Sequence, residues 1–110
     1  MPFYLYQVAY STEAVKAMIA NPTDRAAAAS KLIEGIGGKL HHLFFAFGRY
    51  DVVCLIEAPD DAAMATAAMV VGASGTVSAA ATTKLMTAGE AMAVMGKAGG
   101  AAAFYKSPMD

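Results

Sequence analysis

The sequence predicts an α+β domain built on one four-stranded antiparallel sheet, and three observations predict it. Strand-like runs rich in aromatic and β-branched residues alternate with apolar-striped helical segments in the order β-α-β-β-α-β. Two of those strands are separated only by Gly48-Arg49, so they pair as a hairpin. Finally, 57% of the 110 residues are hydrophobic, above the roughly 45–50% of ordinary domains. A chain this short hides only about 60–70% of its unfolded surface on folding. The excess calls for a subunit interface, an internal pocket or a membrane, and an obligate oligomer is the expected answer.

Each element has its own local cause. Residues 3–10 read as a first strand, with Tyr4, Tyr6 and Tyr10 on one face and Gln7 on the other. Ser11-Thr12-Glu13 supplies capping hydroxyls and a first-turn acid for a short helix over 14–20, stopped by Asn21-Pro22. Pro22 suits the first position of a second helix, with Asn21 as its cap and Asp24 in its first turn. Ala29, Leu32, Ile33 and Ile36 form its apolar stripe, and Gly37-Gly38 ends it. Residues 39–47 and 50–57 are the hairpin strands, and Gly-X between them predicts a type II′ turn. Both strands are apolar on both faces, so the sheet needs two covers. Ala58-Pro59-Asp60-Asp61 opens the next helix, with Met64, Ala67, Ala68 and Val71 as its buried stripe and the glycines at 72 and 75 near its end. Residues 76–86 read as a fourth strand. Thr87-Ala88-Gly89-Glu90 is a capping-box pattern that starts a helix through Lys97. Gly99-Gly100 then releases a tail carrying Phe104 and Tyr105. The chain thus divides into a domain at 1–98 and a flexible or partner-docked tail at 99–110. The element order is the ferredoxin-like βαββαβ motif plus a C-terminal helix. Right-handed crossovers give the strand order 4-1-3-2, with one face under helices and the other apolar and uncovered.

Several function classes are disfavoured. Net charge is −1 with scattered Lys and Arg, so no basic stripe exists for nucleic acid. Residues 62–83 are uncharged, but they are mostly Ala, Gly, Ser and Thr rather than the Leu, Ile and Phe that drive insertion, so no membrane span is expected. No basic patch followed by an apolar run opens the chain, and Cys54 is the only cysteine; a soluble, cytoplasmic protein is expected. There is no phosphate loop around Gly35, Gly37 and Gly38, no zinc-spaced Cys/His set and no serine nucleophile elbow.

Candidate chemistry is thin. Asp51 and His42 are the candidate catalytic residues. Hairpin register pairs His42 with Leu55 and Ala46 with Asp51, which puts both candidates on one face with Phe44, Val53, Leu55 and Glu57. A carboxylate on a covered face suits a general base, and the competing reading has Asp51 binding backbone amides or Arg49. His42 and Asp51 lie about 13 Å apart along the strands, beyond direct dyad reach. His42 alone could shuttle a proton or ligate haem; no cofactor is predicted otherwise. His41, its neighbour on a strand, should point to the opposite face and be solvated. Tyr6, Phe44 and Tyr50 are the aromatic candidates for ligand contact. Cys54 reads as an inert core thiol, and Met64, Met69, Met92 and Met95 as gap-fillers.

The run Gly48-Arg49-Tyr50-Asp51-Val52-Val53, followed by Glu57-Ala58-Pro59-Asp60-Asp61, resembles the GYD-domain family. Lys31-Leu32-Ile33-Glu34, Gly37-Gly38-Lys39-Leu40 and the Thr-x-x-Glu start of the last helix extend the resemblance over residues 3–95. It implies membership of the dimeric α/β-barrel superfamily, in which two ferredoxin-like subunits press their sheets together, and so supplies the missing cover. It does not choose an activity, because that superfamily includes cofactor-free monooxygenases, muconolactone isomerases, haem-degrading enzymes and stress-response proteins. Three functions follow as expectations. The first is a homodimer or higher oligomer binding a small apolar molecule in a subunit pocket. The second is a cofactor-free isomerase or monooxygenase, and the third a structural assembly module.

Overall fold

Burial alternates along the first strand, as a sheet covered on one face requires. In the computed structural model, which describes residues 1–110, β1 (Phe3–Tyr10) buries Tyr4, Tyr6 and Val8 and leaves Phe3, Leu5 and Gln7 half-buried. The chain continues through α1 (Thr12–Ala20), α2 (Arg25–Gly35), β2 (Lys39–Phe45), β3 (Val52–Glu57), α3 (Asp61–Ala73), β4 (Val77–Leu85) and α4 (Ala88–Ala101), then a 3₁₀ turn at Ala102–Phe104. All strand pairs are antiparallel, in the order β2-β3-β1-β4. This is the ferredoxin-like arrangement, with the strand order the sequence predicts.

The core lies on one side of the sheet. Tyr4, Tyr6, Val8, Val52, Cys54 and Ile56 face Ile33 of α2 and Met64 and Ala67 of α3. On the other side Phe3, Leu5, Val53, Leu55, Phe44 and Leu85 share a face that no helix covers. Neither α1 nor α4 contains a buried residue. The Cα radius of gyration is 17.8 Å, against about 13 Å for a compact chain of this length, and the molecule is 60 Å long. No helix is long and apolar enough to cross a membrane.

Four local expectations are corrected. The hairpin register holds, with His42 opposite Leu55 and Phe44 opposite Val53, but the type II′ turn does not form. Only Gly37 and Gly75 have positive φ, so Gly48 lacks the left-handed backbone such a turn needs. The loop is instead residues 46–51, because Asp51 is pulled onto β1. Its N–H donates to the Val8 carbonyl (2.8 Å), and its carboxylate accepts the Tyr10 N–H (2.8 Å).

The cap of α2 is Asp24, whose carboxylate accepts the Ala27 N–H, while Asn21 closes the end of α1. A carboxylate three residues before a free amide both bonds it and meets the positive end of the helix dipole. The register of β2 shifts between Leu40 and His42, a bulge that brings His41 to the same open face as His42. There its ring stands 5.5 Å from that of Phe3 and bonds Glu57 at 2.6 Å. Lastly, α4 runs past Gly99-Gly100 to Ala101. Glycine in a helix costs about 1 kcal/mol relative to alanine, which is not enough to stop one flanked by alanines.

Candidate functional site

Small side chains in the helix layer leave space above the sheet. The central strands provide a floor of Tyr6, Val8, Val52, Cys54 and Ile56, and α2 and α3 provide a roof that includes Ala28, Ala29 and Ala67. Between them lies a cavity of about 130 Å³ in which Arg25 and Thr76 are the only lining residues that are not hydrophobic. The alanines that make α2 and α3 good helices are too short to reach the sheet.

One polar atom stands out in that cavity. Tyr6 is buried, and its hydroxyl has no hydrogen-bond partner. Leaving such a group unpaired costs about 1–3 kcal/mol, so a buried orphan is a natural contact for a ligand atom. Burial raises the Tyr6 pKa, with the adjacent Cys54 adding to the effect. Burial also pushes the Cys54 thiol up to about 11, which leaves it protonated and unreactive.

Tyr10 and Arg25 stand at one end. Both line the cavity and also an outer groove of about 520 Å³ that includes Phe45 and Asp51. Burial raises the Tyr10 pKa, opposed by the positive charge of the nearby Arg25 guanidinium.

Of the five candidate site residues read from the sequence (Asp51, His42, Tyr6, Phe44 and Tyr50), only Tyr6 lines the cavity. Asp51 faces the outer groove, with its carboxylate engaged by the Tyr10 amide. His42 is exposed on the open face, stacked on Phe44 at 5.6 Å and 13°. Tyr50 sits in the 46–51 loop, with the Arg49 guanidinium 5.6 Å from its ring centre. The structure therefore does not bring Asp51 and His42 together.

Two pairings escaped sequence reasoning. His41 and Glu57, half-buried at 2.6 Å, form an acid–base pair able to hold and pass a proton. The bulge that creates it has no signal in the residues around it. Tyr4, buried below α3, donates its hydroxyl to Asp61, which also pairs with Lys84 at 3.0 Å. Burial first, then Asp61, pushes Tyr4 up to about 12, while the bonds from Tyr4 and then Lys84 lower the pKa of Asp61. This trio ties the first turn of α3 to β1 and β4. No three His, Cys, Asp or Glu side chains cluster in a way that could hold a metal.

No curated protein matches the chain. The family model described as GYD domain matches residues 4–95, from β1 into α4 and including the 46–51 loop with its Gly48, Tyr50 and Asp51. The chain belongs to the GYD domain family.

Proposed function

We propose that this protein is a homodimeric binding protein that holds one small apolar molecule in the cavity between its helices and its sheet. The observation that carries the reading is the buried Tyr6 hydroxyl without a partner in a mostly apolar space. An engineered apolar cavity of about 150 Å³ takes up benzene, so 130 Å³ suits a single aromatic ring or a branched alkyl group. The ligand is a neutral molecule of that size with one hydrogen-bonding atom, of which phenol is the simplest probe. A haem macrocycle exceeds this volume, and the proposal includes no cofactor.

The dimer is supported by surface area. The chain exposes 7403 Å², whereas a monomer of this mass exposes about 5,700 Å². The excess exceeds the roughly 800 Å² per partner of a standard interface. The open sheet face, with Leu5, Val53, Leu55 and Phe44, is the surface proposed to be covered by a second copy. The single buried thiol suits a cytoplasmic setting.

The test compares phenol and benzene binding, by NMR titration, to wild type and Tyr6→Phe. Both compounds should bind wild type, and phenol should lose about fivefold or more in affinity on Tyr6→Phe while benzene does not. The unliganded variant should be as stable as wild type or slightly more so, since an unsatisfied hydroxyl is removed. Failure of both probes to bind would refute the cavity as a ligand site.

A further inference from the structure

Helix α4 leaves its own domain. It has no buried residue, its Met92 and Met95 are 72% and 69% exposed, and the chain's 60 Å length and large radius of gyration describe an arm. On that arm Met92, Met95, Gly96 and Gly99 fall at i, i+3, i+4 and i+7 and share one face. Two bulky knobs beside two glycines make a face that can approach another surface closely.

The same chain carries an apolar groove without an occupant. It is the 520 Å³ outer groove, where Val15, Met18 and Ile19 of α1 face Phe45 and Phe47. Ile19 is 75% exposed and Phe47 fully exposed. The three α1 residues are spaced i, i+3 and i+4, an apolar stripe on a helix that buries nothing in its own subunit.

An arm cannot fill the groove of its own chain. It starts just after Leu85, which pairs with Phe3 at one corner of the sheet. Phe45 is level with Val8 at the opposite corner, through Val52. The corners are separated by about 17 Å along the strands and about 14 Å across them. A 14-residue helix, about 21 Å long, is used up in crossing that diagonal and cannot also lie along the groove.

We infer that α4 is an exchanged arm, its Met92–Met95 face lying in the Ile19/Phe45/Phe47 groove of a second copy of this chain. Reciprocal exchange fills both grooves and covers both arms, which is how a two-fold assembly closes. The roughly 1,700 Å² of surface beyond that of a compact monomer of this mass is enough for such an arm as well as a sheet-to-sheet contact. The inference extends the dimer reading and is independent of the cavity.

The test uses the full chain. Ile19→Cys with Met95→Cys is treated with a short bismaleimide; buried, protonated Cys54 does not compete. The expected product has doubled mass on a denaturing gel. A product at monomer mass, unlinked or linked within one chain, overturns the inference. In parallel, the double variant Met92→Glu, Met95→Glu should raise the dimer dissociation constant at least tenfold by sedimentation, and an unchanged constant overturns it as well. Because these variants leave Leu5 and Leu55 intact, a dimeric wild type together with no cross-product from the Ile19→Cys, Met95→Cys variant rejects the arm alone. A wild-type monomer rejects the arm together with the sheet contact.

Discussion

Tyr6 and Cys54 are register partners on adjacent strands, and both point into the apolar layer beneath the helices. Their protons are held there by burial, and so is that of Tyr4. The pH dependence of stability follows from the sign of these shifts. The thiol ionises near 9.0 when unperturbed and about 11 when folded; for Tyr4 the values are 10.0 and about 12. Between those values the native chain holds more protons than the unfolded one, so stability falls as pH rises. The contribution is complete below about pH 9 and disappears toward pH 12. At about 1.4 kcal/mol per pH unit, Cys54 alone accounts for roughly 2–3 kcal/mol of the loss. Urea midpoints measured from pH 8 to 11 should therefore decline, and Cys54→Ala should flatten the decline. A midpoint independent of pH would mean that these groups are not shielded from water.

Among the elements, the hairpin shows how a motif and a fold use different residues. Gly48 belongs to the family's named run, yet a Cβ there meets nothing within 4 Å and its φ is not positive. Gly38 lies outside that run, and a Cβ there would stand 2.3 Å from the Glu57 carbonyl and 3.1 Å from the Ile33 side chain. The entry of β2 is pressed against the end of β3, where only hydrogen fits. Gly38→Ala should accordingly cost about 2–3 kcal/mol, while Gly48→Ala should stay within about 0.5 kcal/mol of wild type. Thermal unfolding of the two variants checks both statements, and a strongly destabilised Gly48→Ala would show that the loop needs a glycine conformation after all. Asp51 carries the structural weight in this loop, because its carboxylate and amide both pin the 46–51 segment to β1.

At the scale of the whole molecule, two helices cover one face of a four-stranded sheet, and the opposite face has no helical cover. Leu55 lies mid-strand on that open face, opposite Leu5 and His42. Leu55→Glu should leave circular dichroism unchanged, since the side chain is outside the helix-covered core, and should convert the proposed dimer to monomer in sedimentation. A dimer that survives the substitution would place the interface elsewhere. Within such a dimer, His41 and Glu57 would be drawn from partial exposure toward burial, which would strengthen their interaction.

The residues by themselves determined the element order, the strand order, the hairpin register and the excess of apolar surface, because each follows from short-range periodicity, capping chemistry and composition. Tyr6 was legible as an aromatic on a strand face, but not as an orphan, since its lack of a partner depends on α2 and α3 being too short in side chain to reach it. The turn at Gly48 was misread because tertiary bonds from Asp51 to β1 outweigh the local preference of a Gly-X pair. The placement of His41 was misread because a bulge shifts the strand's alternation by one residue without leaving a pattern in sequence. The projection of α4 was likewise invisible locally. Its capping box and alanines make a good helix in any setting, and only the three-dimensional arrangement decides that this helix has nothing of its own to pack against. Gly48-Arg49-Tyr50-Asp51 therefore marks the fold, whereas the cavity and the histidine–glutamate pair come from contacts between segments distant in the chain, and the exposure of α4 from the lack of them.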